Sequence, residues 1–235
     1  MREISILVPA YQEAENLRRL VREIEEALTG WNYETIIIND GSTDGSNELI
    51  CELEVENGKI KGLFSERRRG KTRAIQDGFE ASTGEIVVIM DADLQYSAKD
   101  IPRLVDGLES ADVVNGLRTD RQDGIDRRLV SSIYNYLVRA FFNVDFRDCN
   151  SGLKVFRRDA LAAIVHQLRR GWHRYLLVLA DRSGFRVIEM PIHHRKRTMG
   201  ESKYFSPGRL LKGFYDMANV LLSTSRTEEV SSRSV

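Results

Sequence analysis

Apolar and polar segments alternate along the first half of the chain in a way that predicts strands and helices in turn. Short apolar runs at Ile4–Val8, Thr35–Ile38, Ile60–Phe64 and Ile86–Met90 have the length of strands, and the segments between them carry apolar residues at helical spacing. The run Ile86–Met90 is apolar throughout, which is typical of a central strand covered on both faces. This alternation favours an α/β fold with a mostly parallel sheet and right-handed crossovers.

The second half of the chain has a less regular pattern. Further strands are predicted at Asp112–Asn115, Leu153–Phe156 and Arg186–Ile192, with a helical stretch from about residue 159 to 181 between the last two. A last helix, from about residue 206 to 222, has a broad apolar face. We therefore expect one domain over residues 1–222, followed by a disordered tail at 223–235 that is rich in Ser, Thr, Arg and Glu.

Composition excludes some classes of protein. The formal net charge of the 235 residues is zero, so no global field attracts nucleic acid. Two cysteines, no signal peptide before the first strand and no apolar stretch of about 18 residues favour a cytoplasmic protein without a membrane span. Basic clusters at 67–73 and 186–212 are either ordinary solvated surface or contacts for a phosphate-rich ligand.

Polar side chains follow three of the predicted strands at the point where each strand ends. In open parallel sheets, ligands bind beyond these carboxyl ends. Asp91, Asp93 and Gln95 alternate after the apolar run, so a backbone that stays extended directs all three to one side. Two carboxylates and an amide oxygen suit Mg²⁺ or Mn²⁺, which also bind phosphate oxygens. The alternative is that the two aspartates cap a helix that begins near Ser97.

Seven motifs, in order, carry a resemblance to a known family. They are ISILVPAYQEAENL, IIINDGSTDGS, RRGKTRAIQDG, IVVIMDADLQ, DVVNGLR, DCNSGLKVFRRD and HRKRTMGESKY. Over roughly residues 3 to 215 the chain resembles the family-2 inverting glycosyltransferases, in the branch that contains dolichol-phosphate mannose synthase and bacterial polyprenyl-phosphate glycosyltransferases. The resemblance implies a GT-A fold, in which residues 1–117 are the nucleotide-sugar-binding half and residues 118–222 the acceptor-side half.

The resemblance also implies which residues bind the donor and the metal. The nucleotide sugar is expected at Pro9, Tyr11, Glu13, Asp40, Lys71, Asp91, Ser202 and Lys203. The metal ligands are expected to be Asp91, Asp93 and Gln95. Lys71 precedes a helix start that favours anions, although an ordinary surface lysine also fits this position. Two residues depart from the family pattern: Arg69 stands where asparagine is common, and Thr72 stands where glycine is usual.

The catalytic residues implied by the resemblance are Asp93, Asp148, Arg118 and Arg128. The arginines match positions for a donor or acceptor phosphate, although Arg128 has nearby acids with which it can pair on the surface. Inversion is a single in-line displacement with an oxocarbenium-like transition state. Asp148 matches the acceptor-side position and is either the general base or a positioning group, because a polyprenyl phosphate is already largely ionised near neutral pH.

The resemblance implies the transfer of a hexose, mannose or glucose, from a GDP- or UDP-sugar to a polyprenyl or dolichyl phosphate. We expect a peripheral enzyme at the cytoplasmic membrane face. Its last helix lies in the lipid interface, or packs on its own core, on a membrane-anchored partner or on a second copy. The segment Trp172–Arg174 resembles an acceptor-side element, or is an amphipathic helix start. The alternatives are a soluble or polysaccharide acceptor, and a non-catalytic subunit that binds nucleotide sugars.

Overall fold

A computed structural model describes residues 3–119, 125–196 and 215–222. The strands are β1 (Ile4–Ala10), β2 (Tyr33–Asn39), β3 (Ile60–Phe64), β4 (Ile86–Met90), β5 (Val113–Arg118), β6 (Leu153–Arg157) and β7 (Val187–Ile192). The α-helices are α1 (Ala14–Ala27), α2 (Ser46–Glu56), α3 (Lys71–Ala81), α4 (Ile101–Asp106), α5 (Ile125–Phe142), α6 (Arg158–Val165) and α7 (Leu176–Arg182). Short 3₁₀ turns lie at Ala98–Asp100, Gly107–Glu109 and Trp172–Tyr175, and residues 215–222 are helical.

The strands form one sheet in the order β3-β2-β1-β4-β6-β5-β7. Six of these strands run in the same direction, and β6 runs antiparallel to both of its neighbours. The predicted α/β fold with a mostly parallel sheet is therefore confirmed. The chain passes from β1 to β2 and β3 on one side and then returns to β4 on the other. The edge beyond β1 and β4 is thus the switch point where ligands bind in open α/β sheets.

Strand β4 lies at the centre of the sheet and is covered on both faces. Ile86, Val88 and Met90 belong to a core formed with α1, α2 and α4. Val87 and Ile89 belong to the opposite core, formed with α3, α5, α6 and α7. The prediction from the uninterrupted apolar run is confirmed, because alternate side chains of this strand pack against different helices.

The helical stretch predicted from about residue 159 to 181 is two helices rather than one. Helix α6 ends at Val165, and α7 begins at Leu176. Between them Gly171 has a φ of 97°, in the left-handed region that favours glycine, and a 3₁₀ turn follows. This interruption directs the chain back across the start of α3.

The described part of the C-terminal helix packs on the protein's own core. Met217 and Val220 are buried with the side chains of α3, α5, α6 and α7, whereas Tyr215 and Leu222 are exposed. For these two turns, packing on the domain is therefore the better of the alternatives. Within the described ranges, no helix has the length and apolarity needed to cross a membrane. The division of the chain into two functional halves stays a prediction, and the tail at 223–235 lies outside the described residues.

Candidate functional site

The loops that follow β1 and β2 are tied together at the switch-point edge. The backbone N–H of Gln12, which has a φ of 58°, donates to Ser42 Oγ over 2.9 Å. The N–H of Ala14 donates to Asp44 Oδ2 over 3.0 Å. Glu13 stands at the N-cap of α1, where its carboxylate accepts from the Asn16 amide. These contacts place Glu13 at the same edge as the polar residues after β2.

Asp40 organises the loop that leads into α3. Its Oδ1 accepts the N–H of Arg69 over 2.6 Å, and its Oδ2 accepts the N–H of Gly70 over 2.8 Å. The backbone of Gly41 approaches this loop so closely that a Cβ would lie 2.6 Å from the Arg67 carbonyl carbon. Asp40 is 5% exposed. Both of its oxygens accept backbone N–H groups, and its expected contact with the nucleotide sugar stays a prediction.

Two other predicted donor-site residues lie on the same edge. Pro9 is inside β1, opposite Ile38 of β2, and Tyr11 follows that strand. The guanidinium of Arg68 stacks over the Tyr11 ring at 4.0 Å from its centroid. Part of the basic cluster at 67–73 is thereby held at the ligand-binding edge by a cation–π contact, which suits a site for an anionic or aromatic ligand.

Asp91, Asp93 and Gln95 are partly exposed, whereas the residues between them are buried. The extended backbone expected through this segment is wrong, because Leu94 has a φ of 59°. That the three side chains lie on one side stays a prediction. Asp93 Oδ1 accepts the Gln95 N–H over 3.2 Å. Ser97, and neither aspartate, stands at the N-cap of the 3₁₀ turn at Ala98–Asp100, which disfavours the helix-capping alternative.

Lys71 and Gly152 define the surroundings of Asp91. The Lys71 ammonium pairs with Asp91 Oδ1, and the Asp91 N–H donates to Gly152 O over 3.1 Å. A Cβ on Gly152 would lie 2.5 Å from Asp91 Cγ, so glycine keeps open the space beside this carboxylate. The ion pair ties Lys71 to the predicted metal ligand Asp91, which favours a place in the predicted site over the alternative of an ordinary surface lysine.

The donor set fits a divalent ion that is shared with a diphosphate. In the described part of the chain, no group of three or more His, Cys, Asp or Glu side chains converges as in an all-protein metal site. Mg²⁺ is commonly bound through one or two carboxylates together with substrate phosphates. Asp91 and Asp93 supply two such carboxylates. The ion pair between Asp91 and Lys71 demonstrates that one of these oxygens is accessible to a cation.

The structure brings two of the predicted catalytic residues together. Arg118, at the end of β5, binds Asp148 through two hydrogen bonds of 2.6 and 2.8 Å. The two side chains are 9% and 4% exposed. Glu189 holds this loop by accepting the backbone N–H groups of Arg147 and Asp148 over 2.7 and 3.0 Å. Because both carboxylate oxygens point at one guanidinium, this geometry favours a positioning role for Asp148 over that of a general base.

Three predicted residues cannot be placed in the same detail. Arg128 belongs to α5, but its side chain lies outside the described part of the structure. Ser202 and Lys203 lie outside the described residues. The described chain nearest to them contacts the segment that carries the predicted metal ligands, because the Arg195 N–H donates to Gln95 O over 2.8 Å.

Sequence reasoning missed Lys154, a buried cation in β6. It is 3% exposed, and its ammonium donates to Ser151 O. The pKa of Lys154 is lowered to about 8, chiefly by burial and then by Lys71, while Asp148 and Asp91 act in the opposite direction. The signal was present in the motif SGLKVF, where a lysine interrupts a strand of apolar residues. Such a lysine is expensive to bury without nearby acids.

Comparisons with known proteins agree with this geometry. The profile described as "Glycosyl transferase family 2" matches residues 5–165. Among solved structures, glucosyl-3-phosphoglycerate synthase from Mycobacterium tuberculosis in complex with UDP is similar with a TM-score of 0.67 and 20% identity, over 95% of this chain and 80% of that one. A complex of the same synthase with Mn²⁺, UDP and phosphoglyceric acid has a TM-score of 0.68 at 20% identity, over 96% and 78% of the two chains.

The mannosyltransferase PcManGT from Pyrobaculum calidifontis, in complex with GDP-Man and Mn²⁺, is similar with a TM-score of 0.58 and 20% identity. The match covers 81% of this chain and 55% of PcManGT, so the chain spans little more than half of that enzyme. At these identities the likeness establishes a shared fold, which is the GT-A fold expected from the motifs.

Proposed function

Because the chain belongs to glycosyl transferase family 2 and is a glycosyltransferase, we propose that it moves a hexose, with inversion, from a nucleoside diphosphate sugar to a phosphorylated acceptor. One observation carries this proposal: the partly exposed Asp91 and Asp93 follow the carboxyl end of β4, and the Asp91 carboxylate is paired with Lys71. Carboxylates for a divalent ion, with a cation beside them, are what a departing diphosphate requires.

The donor is proposed to be a GDP- or UDP-hexose with Mg²⁺ or Mn²⁺. The similar structures support this choice, since one is a complex with GDP-Man and Mn²⁺ and another holds Mn²⁺ with UDP-glucose. Asp91 and Asp93 would hold the ion, with Gln95 beside them. When bound, the ion supplies positive charge to the leaving diphosphate.

The residues of this chain have distinct tasks in the proposed reaction. Lys71 contributes a cation at the diphosphate, next to a helix start where backbone N–H groups favour anions. Arg118 is fixed in orientation by Asp148, and a guanidinium held in this way can bind a phosphate oxygen without first being ordered. Lys154, which is buried in the sheet, contributes positive charge near the carboxylates of Asp148 and Asp91.

The acceptor is proposed to be a polyprenyl or dolichyl phosphate, bound by a peripheral enzyme at the cytoplasmic face of a membrane. This part of the proposal rests on the resemblance of the later motifs. A soluble phosphorylated acceptor is the second candidate, because the similar mycobacterial synthase is a complex with phosphoglyceric acid. Transfer in detergent-free buffer without lipid would favour this second candidate.

The substitution Asp91→Ala tests the proposed donor chemistry. We expect transfer to fall by about 100-fold or more, since a group that stabilises charge in the transition state is lost, and the Mn²⁺-dependent part of nucleotide-sugar binding to disappear. Asp106→Ala, which removes an exposed acid on α4, is the matched control and should behave as wild type. Near-normal transfer by Asp91→Ala would show that the metal assignment is wrong.

A further inference from the structure

A pocket adjoins the proposed donor site and shares Lys71 with it. It has a volume of about 180 Å³ and lies between the first turn of α3 and the segment that interrupts the helices α6 and α7; its lining includes Lys71, Thr72, Arg170, Gly171, His173 and Arg174. Pockets for whole drug-sized ligands measure about 300–1,000 Å³. This pocket is therefore suited to one small group of a larger substrate.

Thr72 connects the two walls of the pocket. Its Oγ1 accepts the Gly171 N–H over 3.1 Å and lies 3.0 Å from His173 Nδ1. The Gly171 N–H occupies one of the two acceptor lone pairs of this oxygen, and we assign the hydroxyl proton to His173 Nδ1. A neutral imidazole that accepts at Nδ1 carries its own proton on Nε2. Thr72, which stands where the family usually has glycine, thus sets His173 as a neutral hydrogen-bond donor.

The pocket has a positive electrostatic character. Lys71, Arg170 and Arg174 line it, and Asp216 is the acid among its described lining residues. Asp216 lies on the Gly171 side, where a Cβ on that glycine would be 2.5 Å from its Oδ2.

The surroundings of His173 show the same sign of charge. Burial lowers the pKa of His173 well below its usual value, and Lys71, Arg174 and Lys154 lower it further. Three cations that act in the same direction on one imidazole indicate that an anion would be stabilised at this position.

We propose that this pocket, which we name the Thr72 pocket, binds the phosphate monoester of the acceptor through the His173 ring N–H and the Arg174 guanidinium. The inference rests on the proposed function, since it assigns the pocket to the second substrate of that reaction. The Lys71 ammonium pairs with Asp91, which places the donor diphosphate at that end of the lysine. A second anion in the adjoining pocket therefore belongs to the acceptor.

Direct binding of inorganic phosphate tests the pocket without any transfer. Titration followed by ¹H–¹⁵N NMR should give saturable shifts at Thr72 and Gly171. Arg174→Gln should raise the Kd by about tenfold, as expected for the loss of a charge-assisted hydrogen bond. Arg169→Gln is the matched control, because the Arg169 guanidinium stacks on the Trp172 ring at 5.4 Å and does not line the pocket.

A second pair of variants separates the hydrogen bond from general effects on folding. Thr72→Val removes the hydroxyl at nearly constant volume and should weaken phosphate binding several-fold, whereas Thr72→Ser retains the hydroxyl and should bind as wild type. Thermal melts verify that each variant folds. The proposal is overturned if wild type gives no saturable shifts at the pocket. It is also overturned if Arg174→Gln and Thr72→Val both keep the wild-type Kd.

Transfer assays then identify the source of the phosphate. A short polyprenyl phosphate and 3-phosphoglycerate are compared as acceptors. With the acceptor that the enzyme uses, Arg174→Gln should raise the acceptor KM about tenfold and leave donor binding unchanged. An unchanged acceptor KM would overturn the pocket assignment and leave the proposed function intact. Conversely, a wild-type enzyme that transfers nothing would contradict the proposed function, while the phosphate titration would still decide the pocket.

Discussion

The substitution Gly152→Ala is expected to separate stability from activity. Gly152 lies directly before β6, and its carbonyl accepts the Asp91 N–H over 3.1 Å. An added Cβ would lie 2.5 Å from Asp91 Cγ and 2.6 Å from Tyr96 Cε2. Favourable contacts between carbon atoms begin at about 3.5 Å, so the methyl group overlaps both neighbours by about 1 Å. Either Asp91 or Tyr96 therefore has to shift.

The two neighbours differ in how easily they can yield. Tyr96 is 3% exposed and packs against the ring of His194, so it is held in place. The side chain of Asp91 is 31% exposed and can rotate. We therefore expect the carboxylate to be displaced by about 1 Å. The cost in stability should be about 1–3 kcal/mol, as for other overpacked sites, whereas a displacement of this size in a reacting group lowers the rate by about 100-fold.

The assay compares Gly152→Ala with Gly58→Ala, at which an added Cβ has nothing within 4 Å and φ is not left-handed. Thermal unfolding measures the stability, at about 2–4 °C of Tm per kcal/mol for a chain of this size. The dependence of kcat/KM on Mn²⁺ measures the metal site. If Gly152→Ala moves Asp91 in a crystal structure but keeps wild-type kcat/KM and Mn²⁺ dependence, the reasoning that places the ion on Asp91 is refuted.

Three further predictions concern buried groups. Arg118→Met should lower the free energy of unfolding by about 3–5 kcal/mol in chemical denaturation, because Asp148 loses its bidentate partner in a buried position; the double variant with Asp148→Leu should recover part of this loss. In native protein a maleimide should modify the exposed Cys51 and not Cys149, whose thiol has a pKa raised by burial to about 12; mass spectrometry of Cys51→Ser would contradict this if labelling persisted. The pKa of Lys154 is about 8 in the folded protein, below the ordinary value of 10.5, so the unfolded chain binds more protons between these two pH values. The free energy of unfolding should therefore rise with pH in this range, by up to about 3 kcal/mol. Lys154→Met should flatten this rise.

The fold was predictable because each strand corresponds to a short apolar run in the sequence. Apolar runs of strand length match β3 and β4 residue for residue, and the others to within a few residues. The common edge at which the predicted donor-side residues lie was predictable for a related reason, since polar side chains directly after parallel strands meet at one edge of the sheet. The break between α6 and α7 was missed because Gly171 stands within a stretch of otherwise helical pattern, where an isolated glycine is tolerated.

The acceptor side was less predictable because it depends on the direction of one strand. Strand β6 runs against β4, and Met90 at the end of β4 pairs with Leu153 at the beginning of β6. A reversed strand presents its start, not its end, at the edge where the parallel strands finish. The residues that precede β6, from Asp148 to Gly152, therefore lie at the same edge as Asp91, whose N–H donates to Gly152 O. Lys154 is buried within β6 itself.

Nothing in the local sequence sets this direction, because Leu153–Phe156 reads as a strand in either orientation. The same reversal brings residues of the two predicted halves to one edge of the sheet. The predicted donor carboxylates come from the end of a parallel strand, and the predicted acceptor-side groups come from the beginning of its antiparallel neighbour. A substitution at their junction, such as Gly152→Ala, is thus expected to impair donor and acceptor functions together.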